Sequence, residues 1–171
     1  MSTTPITEYW LRGPVKDVPA LLQPVAHALL QAREEVVASV RGLANEQMWI
    51  MPGGMASAGF HLQHLTGVLS RLFTYARGEQ LSAEQLVYLS QEGKHPVKIE
   101  IPLLLDRFHK QVDECIIQLK NTDPLSLTEE RFVGRKKISS TVIGLLFHAA
   151  EHTMRHTGQL IVTVTFVKAT T

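Results

Sequence analysis

The sequence predicts an all-α protein built as a bundle of long helices. Apolar residues recur at the 3.6-residue helical spacing in four long stretches. Those stretches are bounded by capping residues and by glycine or proline. The chain has 171 residues, 44% of them hydrophobic, enough for one domain with a sizeable core. Residues 1–171 therefore read as a single helical domain, with 1–23 as a lead-in and no internal repeat.

Taken in order, "DVPALLQP" enters the first helix, with Pro24 at its first position. Val25, Leu29, Ala32, Val36 and Leu43 carry its apolar stripe to about residue 43. "MWIMPGGMAS" is a loop. Ser57 caps a second helix over 57–77, which Gly78 closes. Ser82, followed by Glu84 and Gln85, opens a short helix, "AEQLVYLSQE", that "GKHP" ends. The third long helix runs from about 101 to 120, with Ile101, Leu105, Phe108, Val112, Cys115 and Leu119 on one stripe; "NTDP" stops it. A loop with the turn "VGRKK" leads to Ser139 or Ser140 as the cap of the last helix, which continues to about Lys168. The β-branched end of that helix, "LIVTVTFV", resembles a strand, but Leu160, Val164 and Val167 continue the stripe of Leu146 and Ala149.

Composition narrows the function classes. The formal net charge is +1, and the short run Arg135, Lys136, Lys137 suits a solvated turn, so nucleic-acid binding has little support. No run of ~18 apolar residues occurs, so no membrane span is expected. "MSTTPITEYW" lacks the basic and apolar regions of a secretory signal. A single cysteine, Cys115, excludes an internal disulfide framework, and its place on an apolar stripe reads as a buried structural thiol. A cytoplasmic location follows as the simple expectation.

The chemistry concentrates in histidines. Of eight, five fall in two short helical segments: His61 and His64 in "FHLQH", and His148, His152 and His156 in "FHAAEHTMRHTGQL". Residues four apart differ by only ~40° on a helix, so an i, i+4 pair sets two imidazoles within reach of one ion. A third ligand must come from elsewhere, and the second helix offers His61 and His64. His64 lies in a row with Val68, Arg71 and Tyr75 beside the stripe Leu62, Leu65, Leu69, Leu72, Ala76. His152 lies at the edge of the stripe Val142, Leu146, Ala149, Leu160, Val164. Both sets flank a packing face and are expected to line a cleft between the two helices. Arg71 either holds an anionic group of a cosubstrate or extends to the bundle end. "HAAEH" also matches the H-x-x-E-H zinc-protease pattern. That reading fails, because only 19 residues (171 − 152) follow His152 and none is acidic.

The segments "SAGFHLQHLTGVLSRLFTYARGEQLS" and "TVIGLLFHAAEHTMRHTGQL", with the lead-in "NEQMWIMPGGM", resemble the DinB/YfiT-like family of metalloenzymes, which is distinct from the DNA polymerase sharing the DinB name. The likeness extends over about residues 24–168. It implies a four-helix bundle with a long crossover between helices two and three, supplied by 79–100 and carrying the short extra helix. It implies one divalent metal ion, most often nickel or zinc, held by His64, His152 and His156. His61 and His148 then fall outside the ligand set as pocket residues, as does Gln159, within about 20° of His152 on the helix face. The resemblance further implies homodimers, and transfer or isomerisation with low-molecular-weight thiols such as bacillithiol or mycothiol on a small substrate. Such a site would activate either a thiol or a water, so the ligand set alone does not separate a thiol transferase from a hydrolase. The alternative reading is a non-catalytic metal-binding or stress-response helical-bundle dimer, with His148 or His61 as a fourth ligand.

Overall fold

A computed structural model of the chain describes residues 7–95 and 99–170. Pro96, part of the expected stop of the short helix, and residues 1–6 of the lead-in lie outside them. The architecture is mostly helical. Four long helices, α1 (Gln23–Val40), α2 (Ala58–Ala76), α4 (Ile101–Asn121) and α5 (Val142–Thr170), form the bundle; α3 (Ala83–Gln91) sits in the segment between α2 and α4. α5 packs against α1 and α2, and α4 packs against the same two, so consecutive helices α1 and α2 lie on a diagonal.

Local chemistry sets the helix ends. Ser57 Oγ accepts from the Phe60 amide at the start of α2. Ser82 and Gln85 form a reciprocal capping box on α3. Gly78 and Gly93 take positive φ just after α2 and α3, where a side chain would be strained. α1 starts one residue earlier than its sequence suggests and ends at Val40; Leu43 is buried beyond it. Lys168 Nζ, in the last turn of α5, donates to the Ser39 and Arg41 carbonyls at 3.2 and 2.5 Å and so closes α1.

Three expectations are corrected. On α4 the buried position is Leu104, with Leu105 only partly covered, because the stripe steps by three as well as by four. The loop before α5 is a β-hairpin: β1 (Glu130–Val133) pairs antiparallel with β2 (Ile138–Thr141), Glu130 opposite Thr141 and Val133 opposite Ile138. Its exposed turn carries Arg135–Lys137, as their charge requires. Finally, Thr141 caps α5 in place of Ser139 or Ser140, its Oγ1 accepting from the Gly144 amide at 3.1 Å. The hairpin docks on α2, where Arg131 Nε donates to the Ala76 carbonyl at 2.9 Å.

α2 is the central element: 15 of its 19 residues are buried. The expected stripe Leu62, Leu65, Leu69, Leu72, Ala76 is buried, and the rest of the helix is covered by α4, α5, the hairpin and Trp49. Leu62, Leu65, Leu69, Leu104, Phe108, Leu146 and Leu160 form the fully buried centre of the core. Among the described residues, no helix is long and apolar enough to cross a membrane.

Candidate metal centre

His64 lies in the second turn of α2 and His152 and His156 lie one turn apart on α5, the partner against which α2 packs. The two helices bring one ring nitrogen from each of the three to within 4.8 Å of the others. The Nε2 atoms of His64 and His152 are 3.0 Å apart. All three rings are partly covered. Phe60 stacks on the His64 ring at a centroid distance of 5.2 Å and 11° between planes, fixing its tilt.

Each histidine has its own surroundings. His64 Nδ1 donates to Glu92 Oε2 at 2.7 Å. His156 Nδ1 lies 3.1 Å from Nδ1 of His61, and one ring donates to the other. That leaves Nε2 as the free ring atom of His156. His152 Nδ1 is buried with no hydrogen-bond partner. Burial first, and neighbouring imidazoles second, push His156 and His61 down to about 4 and lower His152 as well. These rings are therefore neutral near pH 7, the state in which imidazole offers a lone pair to a metal.

The remaining residues singled out in the sequence fall around this centre. His61 is 3% exposed and backs His156. His148 is on the surface, its Nδ1 2.6 Å from Glu151 Oε1; Glu151 also pairs with Arg155 at 2.5 Å. His148, Glu151 and His152 meet the same distance condition as the triad. Their carboxylate is engaged by the guanidinium of Arg155, however, and they come from one helix. Gln159 is exposed and lines an open cavity of about 690 Å³ beside His61 and His156, whose other walls include Met55, Ala56, Phe60 and Val162. The glycine-rich loop before α2 thus contributes to the rim of this cavity. Cys115 is 1% exposed and distant from this chemistry; burial pushes its thiol pKa up.

Arg71 lines a cavity of about 190 Å³ against α3, but its guanidinium is already taken by a carboxylate. Its Nη1 is 2.5 Å from Glu92 Oε1, and the two side chains are 12% and 6% exposed. Burial raises the Glu92 pKa, but its bonds to His64 and Arg71 win and hold the carboxyl below its ordinary value. Glu92 was not visible as a site residue in the sequence. It follows α3, at the turn made by Gly93. The buried amide of Gln63 holds that turn in place, accepting from the Gly93 amide at 2.7 Å and donating to the Lys94 carbonyl at 3.2 Å. The one sequence signal was Arg71 itself, a cation in the same helical row as His64 that needed a partner.

The donor set fits a divalent transition ion. Three imidazoles from two helices converge, with no carboxylate among them; imidazole suits zinc and nickel, whereas magnesium and calcium prefer oxygen. The opposite nitrogens of His64 and His156 already have partners, as ligating histidines usually do.

A family model described as the DinB superfamily matches residues 28–160. A crystal structure described as the conserved protein of locus from Enterococcus faecalis superposes with a TM-score of 0.70. The two share 16% identity over 86% of this chain and 97% of that one, which establishes a shared fold. No curated protein matches the chain.

Proposed function

Because the chain belongs to the DinB superfamily, we propose that it is a cytoplasmic, homodimeric metal-dependent enzyme whose His64, His152 and His156 hold one nickel or zinc ion. The reaction is transfer of a low-molecular-weight thiol to a small electrophile, with water as the alternative nucleophile. The observation that carries this reading is the convergence of three imidazole nitrogens within 4.8 Å at the edge of an open cavity. A divalent ion, when bound, supplies Lewis acidity that favours ionisation of a thiol or water at neutral pH.

The protein's own contribution is holding and sheltering. Glu92 and Phe60 orient His64, and His61 orients His156. Met55, Ala56, Phe60 and Val162 give the adjoining cavity apolar walls suited to a small apolar electrophile. Gln159 and Arg155, on its α5 side, offer hydrogen-bond donors to a polar end of the substrate. Nucleophilic transfer of this kind forms a sulfur–carbon bond, expels the leaving group and releases the thiol proton.

The test is turnover of monochlorobimane by protein loaded with nickel or zinc, using a panel of thiols that includes bacillithiol and mycothiol. A rate that needs metal and is lost in His152→Ala supports the proposal. No metal-dependent rate with any thiol removes thiol transfer and leaves hydrolysis.

One observation favours a second reading, a non-catalytic metal-binding bundle. His61 stands 3.1 Å from His156, close enough to serve as a fourth ligand after a small rotation. Cobalt-substituted protein separates the two. Added azide changes the visible spectrum where a coordination position is open and leaves it unchanged where four protein ligands fill the site.

A further inference from the structure

Glu92 raises a physical question that its role as a fastener of α3 does not answer. None of the α3 side chains is buried, so polar contacts attach it. Neutral groups already do so. Gln85 Nε2 donates to Ser70 Oγ and Thr74 Oγ1, both at 2.8 Å, and Tyr88 donates to the Gln63 carbonyl at 3.1 Å. A 6%-exposed carboxylate adds a desolvation cost that a fastener of this kind does not need.

What a carboxylate adds is an acceptor with no hydrogen to donate. At 2.7 Å from His64 Nδ1 it requires that nitrogen to carry the hydrogen, and a neutral ring then keeps its lone pair on Nε2. Nε2 is the atom that faces His152 at 3.0 Å. A neutral amide in place of Glu92 could donate as readily as accept, and would leave the tautomer open.

The neighbouring helix surface is shaped for this pair. Gly67 lies in the interior of α2 without positive φ, where glycine costs about 1 kcal/mol relative to alanine. A Cβ there would stand 2.1 Å from Glu92 Oε1 and 2.6 Å from Arg71 Nη1. The bare backbone one turn after His64 is thus the space in which carboxylate and guanidinium lie.

We propose that Glu92, clamped by Arg71 in the gap left by Gly67, is a positioning residue that fixes His64 as the Nδ1–H tautomer and aims its Nε2 lone pair at His152 and His156. The role of that lone pair in holding an ion rests on the function proposed above; the tautomer does not.

The experiment uses the full chain labelled with ¹⁵N-histidine. Long-range ¹H–¹⁵N spectra are recorded on metal-free protein at about pH 8, where free imidazole is neutral. Wild type is compared with Glu92→Leu and Gly67→Ala, and His64→Gln identifies the His64 signals. Gly67→Ala keeps both charged partners and covers the case in which Glu92→Leu does not fold. The expected result is a pure Nδ1–H pattern for His64 in wild type and a mixed-tautomer pattern in both variants. An Nε2–H ring in wild type, or an unchanged Nδ1–H ring in the folded variants, overturns the proposal.

Zinc affinity by chelator competition on the same samples is the second readout. Loss of about 10–100-fold in both variants is expected. A purely structural Glu92 would lower the melting temperature and leave zinc affinity as in wild type, and that outcome also overturns the proposal. If wild type binds neither zinc nor nickel while the His64 tautomer still follows Glu92, the metal reading fails and the positioning of His64 stands.

Discussion

Removing both partners of the Arg71–Glu92 pair should cost far less than the two single removals added together. In Arg71→Met the guanidinium is replaced by an apolar chain of similar length. The Glu92 carboxylate, 6% exposed, is then left with the His64 N–H as its remaining partner. Breaking a buried pair in this way typically costs 3–5 kcal/mol. Arg71 retains 12% exposure, so about 3 kcal/mol is the expected loss. For a chain of this size that is a fall in melting temperature of about 6–12 °C. Glu92→Leu should cost a similar amount, since it strands the guanidinium and the His64 N–H. The double variant removes both charges. Its loss should be well below the sum of the two single losses, which marks direct coupling in a double-mutant cycle. Urea unfolding of metal-free protein in the presence of a chelator measures all four corners. A loss under about 0.5 kcal/mol in Arg71→Met, or strict additivity in the double variant, would refute the reasoning that this pair is buried and mutually dependent.

Further outcomes follow from the same structure. His61 and His156 have pKa values lowered from 6.5 to about 4, by burial first. Between those limits the unfolded chain takes up protons that the folded protein refuses. Metal-free protein should therefore have its full histidine contribution above about pH 6.5 and lose stability as the pH falls toward about 4; urea midpoints across that range, compared with His61→Phe, test the sign. Cys115 should be inert to DTNB in the native protein and release one equivalent only on unfolding, because its thiol is 1% exposed. Two helix glycines should respond in opposite directions. Gly158→Ala places a Cβ where nothing lies within 4 Å and should raise stability by about 0.5–1 kcal/mol. Gly59→Ala drives a Cβ to 2.6 Å from the Trp49 ring and should lower stability by about 1–2 kcal/mol, with a change in tryptophan fluorescence.

What the sequence made legible was local. The caps Ser57 and Ser82, the glycines after α2 and α3, and the stripes of α1 and α5 depend on neighbours within four or five residues, and they stand where the spacing puts them. The end of α5 shows why: Thr163, Val164 and Val167 are buried on a helical face, and packing against the bundle overrides the β-branched preference. The i, i+4 relation of His152 and His156 was readable for the same reason. The hairpin was not, since its strands are four residues each and their exposed positions include Phe132 and Ile138, so no clean apolar–polar alternation registers. Thr141 as the α5 cap was missed with it, because the cap is the last residue of β2.

The surroundings of His64 required information of another kind. Glu92 is 28 residues away from it along the chain. Their meeting depends on how Gln63 and Tyr88 seat the crossover on α2, a tertiary register that no periodicity encodes. Gly67 reads as a weak point in a helix until the Glu92 and Arg71 atoms above it are seen. Arg71 likewise reads as an open anion-binding group until its partner is known.

The central claim is that three particular histidines hold one ion, and metal stoichiometry tests it most directly. Untagged protein is incubated with nickel or zinc, freed of excess ion, and analysed by elemental mass spectrometry beside His64→Ala, His152→Ala, His156→Ala and His148→Ala. The expected result is about one ion per chain in wild type and in His148→Ala, and a marked loss in the other three. Wild type without bound ion, or retention of a full equivalent after loss of His64 or His152, would contradict the account.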